Sequence, residues 1–383
     1  MRAGPFYRHQ TSFNPTHPMT PLKFGIIGTG GMAKAHVEWL EPIEGVELTA
    51  CLDLDAERAQ AFAKQWNVRH AMTELPKLLD ACDVVSIVTP DSTHAPLSLE
   101  VLASGTHLLC EKPLTTNLAD AQAVAAAAAK AAAEHGTQTA VNFTYRNSPA
   151  FVRARELVLG GEIGEVRHLT GSYFQSWIPS KVWGGWPNRE AWIWRMQIPK
   201  NGNDASGGVL GDVGCHILDF ATGIAGDADA VRCRMRNFPK IHPDTGEFHT
   251  EYEGATFNAN DSVTIDLDLN GGGMGVLQAS RWAVGHANQV ALGVYGTRGA
   301  LEIDLDQWND IRLCLGDDVH AAEFKTHTLE PTPTNHQRLI HSIRTGEVTQ
   351  PTIERGAHIQ AYLHACEQSA MDDGAATPVP AIA

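Results

Sequence analysis

From Leu22 onward, short apolar runs rich in β-branched residues alternate with longer stretches of helical period; the runs are LKFGIIG, VELTACLD, DVVSIVT, THLLCE and TQTAVNF. Each run has the length of a buried strand, and the stretches between them are long enough for crossover helices, so the pattern predicts parallel strands joined by helices. The stretch between the fourth and fifth runs, ADAQAVAAAAAKAAAEHG, is dominated by alanine, which loses no side-chain entropy in a helix, and Gly136 stands where a helix C-cap belongs. After about Phe143 the period changes. FVRARELVLGG reads as a helix, and long alternating runs follow, among them VTIDLDL, GVLQASRW and QVALGVYG, separated by Gly-rich turns. In VTIDLDL, Val263, Ile265, Leu267 and Leu269 share one strand face and Thr264, Asp266 and Asp268 the other. One face packs on helices; the other meets solvent or a second subunit. Near the end, NHQRLIHSIRTG and ERGAHIQAYLHACEQSA read as helices ahead of a Pro/Ala tail.

Composition narrows the picture. The formal net charge of −15 argues against a nucleic-acid partner, which would need clustered Lys and Arg. Seven cysteines, at 51, 82, 110, 215, 233, 314 and 366, form no C-x-x-C pair, so neither a disulfide framework nor a zinc ribbon is expected and a reducing, cytoplasmic setting is. The 18 histidines show no H-E-x-x-H spacing, and no metal is expected. No run reaches the roughly 18 apolar residues of a membrane span, so no membrane partner is expected. Residues 1–20 lack the apolar core of a signal peptide and read as a disordered leader, with Met19 a candidate natural start.

Directly after the first strand, Gly28-Thr29-Gly30-Gly31-Met32-Ala33 fits G-x-G-x-x-[GA] and opens the predicted helix GMAKAHVEWL. The first glycine permits a tight turn, the second lets the backbone approach a pyrophosphate, and the small third residue permits close helix packing. Asp53 ends the second strand, twenty residues after Ala33, where a carboxylate accepts hydrogen bonds from both ribose hydroxyls. Leu54 and Asp55 follow it, and the first basic residue is Arg58, so a 2′-phosphate would meet repulsion without an arginine clamp and NAD is expected over NADP. The expected fold class is α/β, with an N-terminal doubly wound parallel Rossmann sheet and a C-terminal α/β domain carrying a large, mainly antiparallel open sheet. The expected division is a leader over 1–20, an NAD-binding domain over 21–143 and a substrate-binding and oligomerisation domain over 144–383.

The stretch TPDSTHAPLSLEVLASGTHLLCEKPLTTN, then NFTYRNSPA, then GGVLGDVGCHILD resembles the glucose-fructose oxidoreductase, inositol dehydrogenase and rhizopine-catabolism (Gfo/Idh/MocA) oxidoreductase family. With the glycine fingerprint these motifs run in family order from about residue 22 to 220. The resemblance implies that Thr89 and Pro90 line the adenosine and pyrophosphate path, that His94 belongs to the cofactor side, and that Glu111-Lys112-Pro113 sits at the nicotinamide with Asn142 nearby. It implies that Lys112 and the motif Asp212-x-Gly214-x-His216 carry the chemistry.

Those residue types suit oxidation of a secondary alcohol, which needs a base for the hydroxyl proton while hydride leaves the same carbon. His216 is the natural base, because an imidazole titrates near neutral pH. If Asp212 and His216 share a helical turn, their i, i+4 spacing puts both on one face, where Asp212 orients substrate or holds His216. Lys112 either stabilises the developing alkoxide or, with its pKa lowered by burial, is itself the base. The Lys112–Pro113 bond is a candidate for cis geometry. Five tryptophans, at 177, 183, 186, 192 and 194, crowd a Gly/Pro-broken segment, where flat aromatic faces suit the CH faces of a sugar ring or pack the domain. Trp192 and Arg195, with Tyr173 and Gln175, are expected at substrate; Tyr145 and Arg146 either contact substrate or brace the hinge.

The expected function is NAD-dependent hydride transfer at a ring hydroxyl of a sugar, cyclitol or related polyol, in a homodimer or homotetramer. The competing readings are a glycoside-cleaving enzyme that uses transient oxidation and a non-catalytic NAD- or sugar-sensing regulator.

Overall fold

A computed structural model describes residues 21–188, 190–198 and 208–382. The expected leader, residues 1–20, lies outside the described residues. The chain forms two compact units that do not follow a single cut: one holds residues up to Leu114, Ala123–Asn142 and Pro333–Arg355, the other Thr115–Gln122, Phe143–Thr332 and Gly356 onward.

In the first unit six parallel strands, β1 (Leu22–Ile27), β2 (Val46–Leu52), β3 (His70–Met72), β4 (Val84–Ile87), β5 (His107–Cys110) and β6 (Thr139–Val141), lie in the order β3-β2-β1-β4-β5-β6, the doubly wound arrangement. Five of them are the apolar runs of the sequence. The sixth, β3, is only three residues long and largely exposed, so it carries no hydrophobic signal. Helices α1 (Gly31–Leu40), α2 (Ala56–Trp66), α3 (Leu75–Ala81), α4 (His94–Ala103) and α5 (Leu118–His135) follow in chain order. The alanine-rich α5 ends at Gly136, whose φ of 71° is the left-handed value a C-cap requires. Phe24, Ile26, Val84 and Leu109 are buried from the sheet together with Val37 and Leu40 of α1, and Leu339 and Ile340 of the helix Asn335–Thr345 join the same core. A capping box, Thr334 with Gln337, starts that helix.

Register decides where this unit can work. Ile27 lies opposite Leu52 and Ile87, Ile87 opposite Cys110, and Cys110 opposite Val141. The residues just beyond these, Gly28, Asp53, Val88, Glu111 and Asn142, therefore stand along the carboxyl edge of one sheet, where ligands of such sheets bind.

The second unit is built on nine strands. In spatial order these are Lys325–Thr328, Asp310–Leu315, Gly299–Asp304, Gln289–Gly296, β7 (Val166–Phe174), Met274–Ser280, Ser262–Leu269, β8 (Ala228–Arg236) and Thr377–Pro378. All neighbours are antiparallel except β7 with Met274–Ser280. Along Ser262–Leu269 burial alternates as the sequence pattern requires, with Val263, Ile265, Leu267 and Leu269 inside. Helix α6 (Pro149–Leu159) and the helix Cys215–Ala225 cover one face. Gly171 of β7 is a close approach: a Cβ there would stand 2.7 Å from Leu277 and 3.2 Å from Ile217 of the helix. The opposite face is polar and holds a groove of about 470 Å³ lined in part by Thr170, Gln278, Tyr295, Glu302 and Arg312. Among the described residues no helix is long and apolar enough to cross a membrane.

Candidate active site

The glycine-rich turn is shaped as its sequence demands. Gly28 has φ +96°, and a Cβ there would lie 2.8 Å from the Thr89 side chain, so both conformation and space require glycine. At Gly30 and Gly31 a Cβ would meet no atom of the described residues within 4 Å, so these glycines leave open space above the start of α1. That helix has no side-chain cap on its first N–H groups, and Ala33 beneath it is fully buried. Uncapped donors facing open space at a helix N-terminus fit a pyrophosphate.

Asp53 organises the turn. Its Oδ2 accepts from Thr29 N (3.0 Å) and Thr29 Oγ1 (2.7 Å), and its Oδ1 from Asp55 N (3.0 Å) and Arg58 Nη2 (2.7 Å). Burial alone would raise its pKa, but these bonds hold it at about 2. The expectation that no arginine clamp attends this position is corrected: Arg58, in the first turn of α2 and five residues after Asp53, reaches back to its carboxylate. The preference for NAD then rests on the charge Asp53 retains. Beside it Leu54 is 91% exposed, and Met32 is partly exposed. Across the edge, Thr93 Oγ1 donates to the Pro90 carbonyl (2.7 Å) and shares a hydrogen bond with Thr89 Oγ1 (2.7 Å).

Glu111 and Asn142, expected at the nicotinamide, are turned inward. Glu111 Oε1 accepts from His36 Nε2 (2.9 Å) and Asn142 Nδ2 (2.6 Å), and Asn142 Oδ1 accepts from Asn335 (3.2 Å). His36 Nδ1 meets His336 Nε2 at 3.2 Å. Burial would raise Glu111; His36, Asn142 and the nearby Lys112 charge hold it at about 2. The remaining oxygen, Oε2, accepts the backbone N–H of Lys112 at 3.2 Å. The buried carboxylate thus fixes the backbone from which the half-buried Lys112 projects, and the Lys112–Pro113 bond is cis. His36, Asn335 and His336 gave no motif signal, because their partners lie up to 300 residues away.

In the second unit Asp212 lies in a π-helical turn, Leu210–Gly214, that leads into the helix Cys215–Ala225. The α-helical i, i+4 spacing expected for Asp212 and His216 is therefore corrected to a wider turn, a feature frequent at functional sites. Asp212 Oδ2 accepts from Arg281 Nη2 at 2.8 Å and lies 3.4 Å from Arg195 Nε. Arg281 is fully buried, and its Nη1 also donates to the Arg195 carbonyl (2.8 Å). Sequence reading missed Arg281, which sits at a strand end 69 residues from its partner.

His216, 7% exposed, is edged by the rings of Tyr145 (5.0 Å), Tyr173 (6.0 Å) and Phe143 (6.2 Å). Beside it runs a closed polar network. The Tyr145 and Tyr173 hydroxyls are 2.6 Å apart, Tyr173 and Gln175 donate to Asn288 Oδ1 (2.8 Å each), and Asn288 Nδ2 donates to Tyr145 (3.0 Å). Burial, with Tyr145 and the Asp212 charge, pushes the Tyr173 phenol well up. Asn288 was also missed; it stands in a polar stretch with no periodic signal.

Arg146, expected either to contact substrate or to brace the hinge, is paired within its own unit. It is 3% exposed, and its Nε and Nη2 each donate to Asp219 at 2.7 Å, a bidentate buried pair. The tryptophans divide. Trp177 and Trp186 are buried in a core with Ile178, Met196 and Phe257, while the part-buried Trp192 stacks with Trp183. Arg195 lies over Trp192 (5.1 Å) and Trp194 (4.3 Å).

Comparison with known proteins agrees with this arrangement. Residues 22–142 match the model of an oxidoreductase family with an NAD-binding Rossmann fold, and residues 151–302 match the GFO/IDH/MocA C-terminal domain. The levoglucosan dehydrogenase of Pseudarthrobacter phenanthrenivorans is 25% identical over 319 residues, 78% of each chain. A crystal structure of an oxidoreductase domain protein from Kribbella flavida superposes with a TM-score of 0.82 at 29% identity, covering 95% of this chain and all of that one. Levoglucosan dehydrogenase in complex with NADH and levoglucosan shares the fold, with a TM-score of 0.80 at 22% identity over 94% of this chain and all of that one. The protein belongs to the GFO/IDH/MocA family of NAD-binding oxidoreductases.

Proposed function

We propose that the protein oxidises a ring hydroxyl of a sugar, cyclitol or related polyol, or reduces the corresponding ketone, with Lys112, Asp212 and His216 as the catalytic residues. The observation that carries this reading is the polar wall beside His216, where Tyr145, Tyr173, Gln175 and Asn288 present linked donors and acceptors. Such a wall suits a ligand made of hydroxyl groups. The similarity to a levoglucosan dehydrogenase supports an anhydrosugar or a compound like it.

Bound NAD supplies the acceptor for the hydride that leaves the carbinol carbon. Gly28, Thr29, Gly30, Gly31, Met32 and Ala33 would hold its pyrophosphate; Asp53 and Leu54 its adenosine; and Thr89, Pro90 and Lys112 the remaining path. His216 would take the hydroxyl proton at its imidazole, and the Lys112 ammonium would offset the developing alkoxide charge. Asp212, gripped by Arg281 and Arg195, would accept a hydrogen bond from a neighbouring hydroxyl. Trp192 offers its face to the ring. The exposed polar face of the nine-stranded sheet supports self-association into a dimer or tetramer, which light scattering would measure.

The test is formation of reduced nicotinamide by the purified protein with NAD against inositols, aldoses and anhydrosugars. Turnover of one class, abolished in His216→Ala while NADH still binds, is the expected result. Silence with every polyol in both directions, although NAD binds, would overturn the reading.

A further inference from the structure

His94 opens α4 and is 1% exposed. Its Nδ1 lies 2.8 Å from the Pro113 carbonyl oxygen and its Nε2 lies 3.0 Å from the Thr89 carbonyl oxygen. A carbonyl oxygen only accepts, so each ring nitrogen must donate. A neutral imidazole carries one N–H, and only the imidazolium carries two. Turning the ring over would set carbon atoms against both carbonyls and forfeit both bonds inside a buried site.

The two carbonyls belong to different loops. Thr89 follows β4 and touches the glycine turn, since its side chain limits the space at Gly28. Pro113 follows Lys112, whose own N–H is held by the buried Glu111 carboxylate. The short segment 111–113 is thus tied at one end to a buried anion and at the other to His94.

We propose that His94 is a buried positioning residue, doubly protonated at neutral pH, whose two N–H groups fasten the loop after β4 to the turn after Lys112. Burial pushes an imidazole down, but Cys110 of β5 and the two carbonyls push this one up to about 9. Cys110 is the titratable group acting on the ring, and Ser98, one turn along α4, donates to its sulfur at 3.8 Å. With a folded pKa above that of a free imidazole, the stabilisation is fully present below about pH 6.5 and is lost as pH rises through about 9.

The kinetic consequence rests on the reading of Lys112 as catalytic; the charge state does not. The nitrogen resonances of 15N-histidine-labelled protein, with His94 assigned by difference against His94→Gln, read it directly. Two protonated nitrogens at pH 7.5 are expected; one protonated and one bare nitrogen would overturn the proposal. Two variants separate the loops. Gln places its amide near the Nε2 position and keeps the Thr89 link, whereas Asn places it near Nδ1 and keeps the Pro113 link. His94→Asn should therefore weaken NADH binding, followed by fluorescence, more than it lowers kcat, and His94→Gln should lower kcat more than it weakens binding. Equal and parallel losses in both variants would mark a purely structural histidine and sink the positioning role. Were no polyol turned over at all, the Lys112 reading would fall alone, because the resonances and the NADH titration still decide the state of His94.

Discussion

The two units hold their reactive side chains by different handles. In the nucleotide unit Lys112 is fixed through its backbone: Glu111 accepts its N–H, and the buried chain of His36, Asn142, Asn335 and His336 fixes Glu111. In the sheet unit Asp212 is fixed through its carboxylate, which Arg281 and Arg195 grip directly. A backbone handle sets where the lysine side chain originates. A side-chain handle sets the charge as well as the position of the group it holds. Both handles are assembled from residues far apart in sequence, up to 300 residues in the nucleotide unit and 69 in the sheet unit.

This contrast can be broken experimentally, starting where the effect is largest. Lys112→Ala should lower kcat by roughly 10²–10⁴-fold, the range for loss of a group that acts on a proton or a developing charge. Because only the side chain beyond the backbone handle is lost, NADH binding measured by fluorescence should stay within a few-fold of wild type. A kcat that survives would move the chemistry off this residue.

Arg146→Ala removes one member of a buried bidentate pair and should cost about 3–5 kcal/mol in urea unfolding, as uncompensated Asp219 is left behind. Stability unchanged to within about 1 kcal/mol would return Arg146 to the list of ligand contacts. Glu111→Gln tests the backbone handle. Glu111 is held at about 2 against an ordinary value of 4.5. Its stabilisation is therefore present above about pH 4.5 and disappears as pH falls towards 2, and it amounts to about 3 kcal/mol at neutral pH. The glutamine variant should lose that stability and show a flatter acid limb in thermal melts. A variant with the wild-type pH profile would show that the carboxylate bears no linked charge. Smallest, Asn288→Ala deletes hydrogen bonds from the polar wall and should lower kcat/KM about tenfold, with NADH affinity unchanged.

Much of the fold was legible because burial imposes period. Five strands of the parallel sheet, three of the nine-stranded sheet, the alanine-rich α5 and the inward face of Ser262–Leu269 follow from apolar spacing, whereas the exposed β3 and Lys325–Thr328 left no such signal. The glycine turn was legible because Gly28 must adopt a positive φ and Gly30 and Gly31 must stay bare, requirements that leave a mark in the residues themselves. What escaped was partnership. Arg58 reaches back to Asp53 from the first turn of α2, Arg281 reaches Asp212 across 69 residues, and His336 reaches His36 across 300. A buried Arg or His reads in sequence like any exposed one, since hydrogen-bond satisfaction is settled only once distant strands and helices come together. For the same reason the interior partners of Glu111, Asn142 and Arg146 left no mark in the sequence. The π-turn at Asp212 left no trace either, because its residues are compatible with an ordinary helix.

The account turns on hydride leaving a carbinol carbon for the nicotinamide under the control of Lys112. Deuterium placed on that carbon of the polyol selected by the panel, followed by mass spectrometry of the cofactor, reads the transfer itself. The account predicts one deuterium in each reduced nicotinamide formed, in step with ketone product, at a rate that collapses in Lys112→Ala. Product released with the cofactor unlabelled, or labelled equally fast by the alanine variant, would contradict it.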